Sequence, residues 1–340
     1  MKCTGEILMA KIGIANLNRD GNWNDTRELA ILADELGYDC LTVGEAWGGD
    51  AFSTLAHISA ITKKIRLGTS IVPVFARSPA NLAMSAINLD NMSGGRFFLG
   101  LGASGKLVIE DLHGETFKKP LTRIREYVDI VRLALQGNKL EHEGEFFSTK
   151  RFRLRITPTS EEMPIYIASL SPPSLRLTGE IADGWLPIFL APRRMSPLLE
   201  EIQKGANKSG KSLNDINVSP QISIYVTDNV QEARDIERPH IAWYIGGMGI
   251  FYHEYMHRIG FGEEADNVRE AFRNRDRVKA AKLVTDEMVE ATTIIGPSSE
   301  CREKMDEFFD LGVNEIRLVF NEESKSKQGD AMKSLAKYIH

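Results

Sequence analysis

Short apolar runs alternate with amphipathic segments along most of the chain. The segment at 119–137 shows the helical spacing clearly, because Leu121, Ile124, Val128 and Val131 fall on one face of a helix. Several apolar runs end in Gly, Asn or Ser, as buried strands commonly do. We predict eight strands, at residues 11–16, 38–44, 65–72, 96–102, 164–168, 184–188, 217–226 and 315–320.

Nearly every predicted strand is followed by a predicted helix, and this alternation determines the fold class. Parallel neighbours need crossover helices, so alternation predicts a parallel sheet. Eight units within 340 residues predict an α/β fold, a closed (β/α)8 TIM barrel with insertions. An open, doubly wound sheet is the alternative. Helix boundary signals agree with the pattern: Asn24 or Asp25 is a predicted N-cap, Gly37 follows that helix, and Ser78 with Pro79 begins another.

Two segments break the alternation, and we interpret both as insertions in a single domain spanning 1–340. Residues 139–160 have the pattern of a hairpin, and residues 228–291 are mostly helical and polar. The second insertion is rich in aromatic residues. These side chains are expected to form a substrate lid, a dimer surface or plain helical core: Trp243, Tyr244, Phe251, Tyr252, Tyr255 and Met256.

Composition and charge exclude several classes of function. The net charge is −5, so the chain lacks the excess of basic residues that is typical of nucleic-acid-binding proteins. No apolar run reaches the ~18 residues that a membrane span needs. The first residues show no signal peptide, so we expect a cytoplasmic protein. Cys3, Cys40 and Cys301 are widely spaced, and we expect reduced, mostly buried thiols.

The stretch GRFFLGLGASGKL satisfies two phosphate-binding patterns, and its context argues against both. A P-loop needs Ser or Thr after Lys106, whereas this chain has Leu107, and residues 107–119 carry no sustained helical stripe. A dinucleotide fingerprint needs an acidic residue at the end of the next strand, and none is there. Two explanations remain for Gly100 and Gly102: close approach of a flat ligand, or a tight barrel corner.

In a barrel, the predicted strand ends converge on one face, where active sites lie. The residues there include Glu45, Ser70 and Ser169 but no His or Cys cluster, so they favour chemistry carried by a bound cofactor. A helix beginning at Ser171 offers amides to a phosphate. His253 and His257 spell H-E-x-x-H without an evident third ligand, so we predict no metal site.

The chain contains two long blocks with a recognisable pattern, IRLGTSIVPVFARSPANLAMSAINLDNMSGGRFFLGLGASG and IYIASLSPPSLRLTGEIADGWLP. Both blocks resemble a known family, the bacterial luciferase-like superfamily of flavin- and deazaflavin-dependent oxidoreductases. The resemblance is strongest to the branch that uses coenzyme F420, which includes methylene-tetrahydromethanopterin reductase.

The resemblance implies a site for F420 in the barrel mouth. It implies a non-prolyl cis bond at Ser70–Ile71 behind the ring, with small Thr69 beside it, and it places polar Glu45 against the ring and its side chain. The tail phosphate would lie on the amides of Ser169, Leu170 and Ser171. Further cofactor contacts are expected at Ser104 and Ala168.

The expected reaction is hydride transfer between the deazaflavin and a small organic substrate. Candidate catalytic residues are Glu45 and His113, the latter in a loop that would cover the mouth. The turn 103–106 lacks the acid of the reductases and of the sugar-phosphate dehydrogenases, so neither substrate is carried over. The alternatives are an FMN-dependent monooxygenase and a non-catalytic flavin-binding barrel. Relatives usually pair, so we expect a homodimer or higher homo-oligomer.

Overall fold

The structure is a computed structural model that describes residues 11–17, 21–159 and 162–339. Eight parallel strands alternate with helices, so the predicted fold class is confirmed. We label the strands β1 (Lys11–Ala15), β2 (Cys40–Val43), β3 (Arg66–Thr69), β4 (Phe97–Gly102), β5 (Ile165–Ile167), β6 (Gly184–Trp185), β7 (Gln221–Val226) and β8 (Glu315–Phe320).

The strands form a ring in sequence order. Each of β1 to β5 pairs in parallel with the strand that follows it, β7 pairs with β8, and β8 pairs with β1. The last gap closes where Ile188, just after β6, forms a parallel bridge with Gln221 of β7. Asn217–Val218, which precedes β7, also pairs with β6. The sheet is therefore a closed barrel and not an open twisted sheet.

Thirteen α-helices lie in the described part of the chain, and most of them cover the outside of the barrel. They are α1 (Trp23–Leu36), α2 (Ala51–Ile61), α3 (Pro79–Ser93), α4 (Pro120–Leu135), α5 (Pro172–Ile181), α6 (Ser196–Ala206), α7 (Val230–Gly247), α8 (Phe251–Arg258), α9 (Gly262–Arg273), α10 (Arg277–Lys282), α11 (Asp286–Thr292), α12 (Ser298–Asp310) and α13 (Lys325–Ala336).

Most predicted helix boundaries are confirmed, with one correction. Ser78 caps α3 with Pro79 in its first turn, and Gly37 ends α1 in the left-handed conformation, at φ 82°. The N-cap of α1 is Asn22 and not Asn24 or Asp25. Asn22 accepts hydrogen bonds from two amides of the first turn, and Asn24 is one of the donors, so the helix begins one residue earlier than its apolar spacing suggests.

The hairpin and the helical insertion are both present. His142–Glu143 pairs antiparallel with Ser148–Thr149. Helices α7 to α11 occupy most of residues 228–291. A strand that we did not predict, Thr293–Gly296, follows α11 directly and pairs in parallel with β7. Its four residues are too few to show an alternating pattern next to a helix.

The loop after β4 needs a second correction. A short helical segment does begin at Lys106 and includes a π-helical turn at Val108–Leu112. The lack of a sustained apolar stripe hid this turn, because it is too short to show one. Leu107 still occupies the position where a P-loop needs a hydroxyl.

Close contact between barrel backbones explains Gly100 in β4 and Gly44 directly after β2. A Cβ atom at Gly100 would lie 1.9 Å from the carbonyl oxygen of Thr69. One at Gly44 would lie 2.8 Å from the carbonyl oxygen of Ser70. Of the two explanations left open by the sequence, the structure therefore supports the tight barrel corner for Gly100.

The barrel interior below the mouth is polar. Arg66 and Glu315 form an ion pair there, and Ser219 Oγ donates to Glu315 at 2.8 Å. The thiols of Cys40 and Cys301 are free and buried as expected, and burial raises the pKa of the Cys301 thiol to about 12. Cys3 lies outside the described residues. Among the described helices, none is long and apolar enough to cross a bilayer.

Candidate active site

A cavity of about 1250 Å³ opens at the carboxyl ends of the barrel strands. Loops after β1 to β6 form its lower wall, and helices α4, α5, α7 and α8 contribute the rest. This is the face on which barrel enzymes carry their active sites. The predicted site residues that line the cavity are Glu45, Ser70, Ile71, Ser104, Ala168, Ser169, Leu170 and Ser171.

The base of the cavity, which we call the floor, consists of residues 69–71 with Gly100 and Gly102. The Ser70–Ile71 peptide bond is cis, as the family resemblance implied. Ile71 packs over Gly102, where a Cβ atom would lie 3.0 Å from its side chain. The outer side of Ile71 remains in the cavity wall. The floor therefore presents a small apolar surface above closely packed backbone.

Thr69 forms a buried part of the floor and does not belong to the cavity wall. Its side chain is fully buried and is not part of the lining. Thr69 Oγ1 donates to the Gly100 carbonyl at 2.8 Å and accepts from the Gly100 amide at 2.8 Å. The predicted direct cofactor contact of Thr69 has no support in this geometry, since the residue joins β3 to β4.

A buried arginine supports the floor from below. Arg317 Nη1 donates to Ser70 Oγ at 2.5 Å and to Thr42 Oγ1 at 3.3 Å, and its Nη2 donates to the Ser219 carbonyl at 2.8 Å. Burial lowers the pKa of this guanidinium. Sequence analysis missed Arg317 because it lies in the middle of an apolar strand, with no motif around it.

Glu45 lies in the cavity wall with both carboxylate oxygens occupied. Arg77 donates to Oε1 at 2.5 Å and to Oε2 at 2.9 Å, and the amide of Ala51 donates to Oε2 at 3.1 Å. Arg77 also pairs with Asp50. The carboxylate therefore anchors the loop between β2 and α2, and its predicted catalytic role gains no support from its hydrogen bonds.

The start of α5, where we predicted a phosphate site, has two free backbone amides. The amides of Ser169 and Leu170 have no hydrogen-bond acceptor in the described ranges. The amide of Ser171 already donates to Ser174 Oγ at 3.0 Å. Two prolines occupy the first helical positions and have no N–H, so the helix offers fewer donors than we expected.

Arg258 brings a positive charge to the same place. This residue ends α8, lines the cavity beside Ser171 and Ser174, and donates to the Leu170 carbonyl at 3.4 Å. Its other nitrogen donates to Glu254 at 3.0 Å. Sequence analysis missed Arg258 because nothing in the insertion sequence indicates that α8 folds back towards β5.

Helices α7 to α9 form a unit that we call the cap, and aromatic side chains of α7 and α8 line the cavity. Trp243 meets Trp47 from the loop after β2 edge to face, with ring centroids 5.6 Å apart. Tyr255 and Met256 are fully buried helical core. Of the alternatives left open by the sequence, helical core is therefore confirmed for Tyr255 and Met256, and the other four residues lie in the cavity wall. The four residues in the wall are Trp243, Tyr244, Phe251 and Tyr252.

The other two loop candidates differ in position. Ser104 lines the cavity in a left-handed conformation, at φ 61°, directly after β4. His113 follows the π-helical turn and is not among the lining residues. Its Nε2 is buried and has no hydrogen-bond partner within the described residues. The structure does not bring His113 together with the other site residues.

His240 of α7 lines the cavity and was not predicted. Its Nδ1 lies 2.9 Å from Glu237 Oε1. Glu237 is 1% exposed, and its other carboxylate oxygen accepts from the Tyr225 hydroxyl at 2.8 Å. The spacing of Glu237 and His240, three residues apart on one helix, was the available sequence signal.

A third histidine-containing group lies between α8 and α9. His253 Nε2 and His257 Nε2 lie 2.7 Å and 2.9 Å from Asp266 Oδ1, so the H-E-x-x-H motif does acquire a third residue. Arg269 donates to His253 Nδ1 at 3.2 Å, which leaves the proton on Nε2, directed at Asp266. Hydrogen bonds thus account for the cluster, which joins α8 to α9.

Comparison with known proteins agrees with this geometry. The family model for luciferase-like monooxygenases matches residues 7–315. The chain belongs to this family. A Mycobacterium tuberculosis protein named as a coenzyme F420-dependent oxidoreductase is 35% identical over 82% of this chain and 85% of its own length. The 5,10-methylenetetrahydromethanopterin reductase of Archaeoglobus fulgidus is 32% identical over 84% of this chain and 86% of its own length.

A solved structure confirms the fold of this luciferase-like chain. The F420-dependent tetrahydromethanopterin reductase of Methanopyrus kandleri superposes with a TM-score of 0.84 at 24% identity, over 97% of this chain and 98% of that chain. The fold is therefore a luciferase-like TIM barrel. Since its relatives are oxidoreductases, the chain is an enzyme of this family.

Proposed function

We propose that this luciferase-like enzyme transfers a hydride between coenzyme F420 and a small apolar organic substrate. The observation that carries the proposal is the floor, where the half-buried side chain of Ile71 lines the base of an open cavity of about 1250 Å³. A planar tricycle can lie flat on such a surface. The Mycobacterium tuberculosis relative and the Methanopyrus kandleri structure both have coenzyme F420 in their names, which supports this cofactor.

The residues present fit a ring with a phosphorylated tail. Ile71 offers an apolar face to the ring. Its side chain packs directly over Gly102, which has no side chain of its own. Free amides at Ser169 and Leu170, together with the Arg258 guanidinium, suit an anionic phosphodiester. A flavin with a terminal phosphate meets the same donors, so the donor set alone does not separate F420 from FMN.

When bound, the deazaflavin supplies two-electron hydride chemistry. The protein residues orient and desolvate the reactants. The floor fixes the ring plane, and Arg317 holds Ser70 in place from below. The aromatic wall of the cap excludes water and packs against an apolar substrate, which brings the reacting carbon close to the ring.

Cofactor titration tests the proposal. Purified protein is titrated with F420 and, separately, with FMN, while fluorescence reports binding, and oxygen consumption is followed with each reduced cofactor. We expect saturable micromolar binding of F420 and no oxygen-dependent turnover. Tight FMN binding with oxygen consumption, and no binding of F420, would show instead that the enzyme is a flavin monooxygenase.

A further inference from the structure

His240 lies at the boundary between cap and cavity. Of its two ring nitrogens, only Nδ1 has a hydrogen-bond partner among the described residues. Its Nδ1 is engaged by Glu237 at 2.9 Å, and the Tyr225 hydroxyl holds Glu237 in turn. A carboxylate accepts only, so this contact assigns the Nδ1 proton. Nε2 of the neutral ring is then a free acceptor, and in the imidazolium it is a donor.

Ring packing fixes the direction of the imidazole. The Tyr244 ring meets it edge to face at a centroid distance of 5.1 Å, and the Phe189 ring lies 5.8 Å away. The side chain is 34% exposed and lines the cavity. Among the residues that the structure describes, none forms a hydrogen bond with Nε2. The edge of the ring opposite Glu237 therefore faces the cavity.

The surroundings of His240 select the kind of substrate. Ile188 and Phe189 lie beside His240, together with polar Gln221. Trp243 and Phe251 add further apolar surface to the cavity wall. The titratable groups that face His240 are Glu237 and Tyr244 of its own helix, and Tyr252 of α8; Tyr225 of β7 lies behind Glu237. A histidine with an open Nε2 beside this partly apolar wall suits a substrate with one polar atom at its reacting carbon.

We infer that His240 is the catalytic proton-transfer residue, and that the substrates are apolar ketones or aldehydes and the corresponding alcohols. Glu237 is the positioning residue that orients the ring through its contact with Nδ1. This inference rests on the proposed function. It replaces Glu45, whose oxygens are already bound by Arg77, and His113, which lies outside the cavity wall.

The proposed reduction transfers one hydride and one proton to the carbonyl group. The carbonyl carbon accepts a hydride, with loss of the same two electrons from reduced F420, and a C–H bond forms as the C=O π bond breaks. The carbonyl oxygen accepts the Nε2 proton of the His240 imidazolium and becomes a hydroxyl. His240 is left neutral and regains a proton from solvent. In the oxidising direction, neutral His240 takes the hydroxyl proton instead.

The test compares His240→Gln and Glu237→Gln with a matched control, His57→Gln, at an exposed position on α2 outside the cavity wall. The probes are acetophenone and cyclohexanone with chemically reduced F420. We expect His240→Gln to lower kcat by about 100-fold or more. F420 affinity should stay within about twofold, because His240 does not contact the floor. Glu237→Gln should lower kcat less and shift its pH profile, and His57→Gln should match the wild type.

The outcomes are distinguishable. Wild-type protein that binds F420 but reduces neither ketone overturns the substrate class, and His240→Gln with near wild-type kcat overturns the catalytic role. Wild-type protein that fails to bind F420 overturns the proposed function itself. Imidazole 15N NMR of the cofactor-free protein tests the geometry separately. The spectrum should show the proton on Nδ1 of His240 in the wild type. In Glu237→Gln the proton should lose its preference for Nδ1, and an unchanged tautomer in that variant would contradict the assigned orientation.

Discussion

The floor and the cap enclose the same cavity but are built in different ways. The floor depends on backbone contacts between β3 and β4, where Thr69 and Gly100 exchange two hydrogen bonds. The cap depends on side chains, with Trp243, Tyr244 and Phe251 extending from two helices over the opening. A backbone surface tolerates little change, whereas a side-chain surface can be altered one residue at a time.

This difference separates two tasks. The floor sets where a flat ring can lie, because the ring plane follows from the barrel itself. The cap determines what fits above the ring, and the proposed proton-transfer residue, His240, comes from the cap. Changes in the floor should therefore affect folding and cofactor affinity. Changes in the cap should affect substrate affinity and turnover.

The largest effect is expected from Gly100→Ala. Its methyl group would lie 1.9 Å from the Thr69 carbonyl, so β3 and β4 must separate. We expect the free energy of unfolding to fall by about 3 kcal/mol, measured by urea denaturation. Gly105→Ala is the control, since its Cβ would meet Met248 at an ordinary 3.4 Å. Equal stability of the two variants would refute the close packing of the floor.

A smaller effect is expected from Ile71→Ala, which removes the apolar surface beneath the ring while the backbone keeps its contacts. Loss of this contact should weaken F420 binding about tenfold in a fluorescence titration. Ile236→Ala, an exposed position on α7, serves as the matched control and should bind as the wild type does. Unchanged affinity in Ile71→Ala would mean that the ring does not lie on this surface.

Trp243→Ala tests the cap. The tryptophan packs against Trp47 across the opening, so its removal widens the cavity on the substrate side. We expect KM for an apolar ketone to rise about fivefold, with F420 affinity unchanged. Phe152→Ala, at a residue that is 77% exposed, controls for loss of a surface aromatic. If Trp243→Ala lost as much F420 affinity as Ile71→Ala, the separate roles of floor and cap would be contradicted.

The smallest effect is expected from His113→Ala. This residue was a catalytic candidate in the sequence and lies outside the cavity wall in the structure. Steady-state kinetics should give kcat and KM within about twofold of the wild type. A large fall in kcat alone would restore His113 to the reaction and weaken the case for His240.

The floor could be predicted from sequence because its residues follow one another along two strands. The alternation of strands and helices gave the barrel, and the resemblance supplied the cis bond at Ser70–Ile71, which the structure contains. What the sequence could not show was which residues of the segment face the cavity. Thr69 and Ile71 both adjoin Ser70 in the chain. The Thr69 side chain nevertheless points between β3 and β4, whereas Ile71 lines the cavity.

The contacts of the cap could not be predicted from the sequence, because they join residues that are distant in the chain. Glu237 meets Tyr225 of β7, and Arg258 meets Leu170 of the β5 loop. No periodicity in α7 or α8 encodes either contact. The helices themselves were predictable from their apolar faces, but which aromatic residues form wall and which form core depends on how α8 packs against α9. Strand Thr293–Gly296 was missed for a similar reason, since only its pairing with β7 reveals it.

A crystal structure of the protein with F420 tests the central claim most directly. The account predicts the deazaflavin ring in van der Waals contact with Ile71, about 3.5–4 Å from its side chain, and the phosphate near the amides of Ser169 and Leu170. A ring bound elsewhere, or a cofactor held only by the cap helices with Ile71 free, would contradict it.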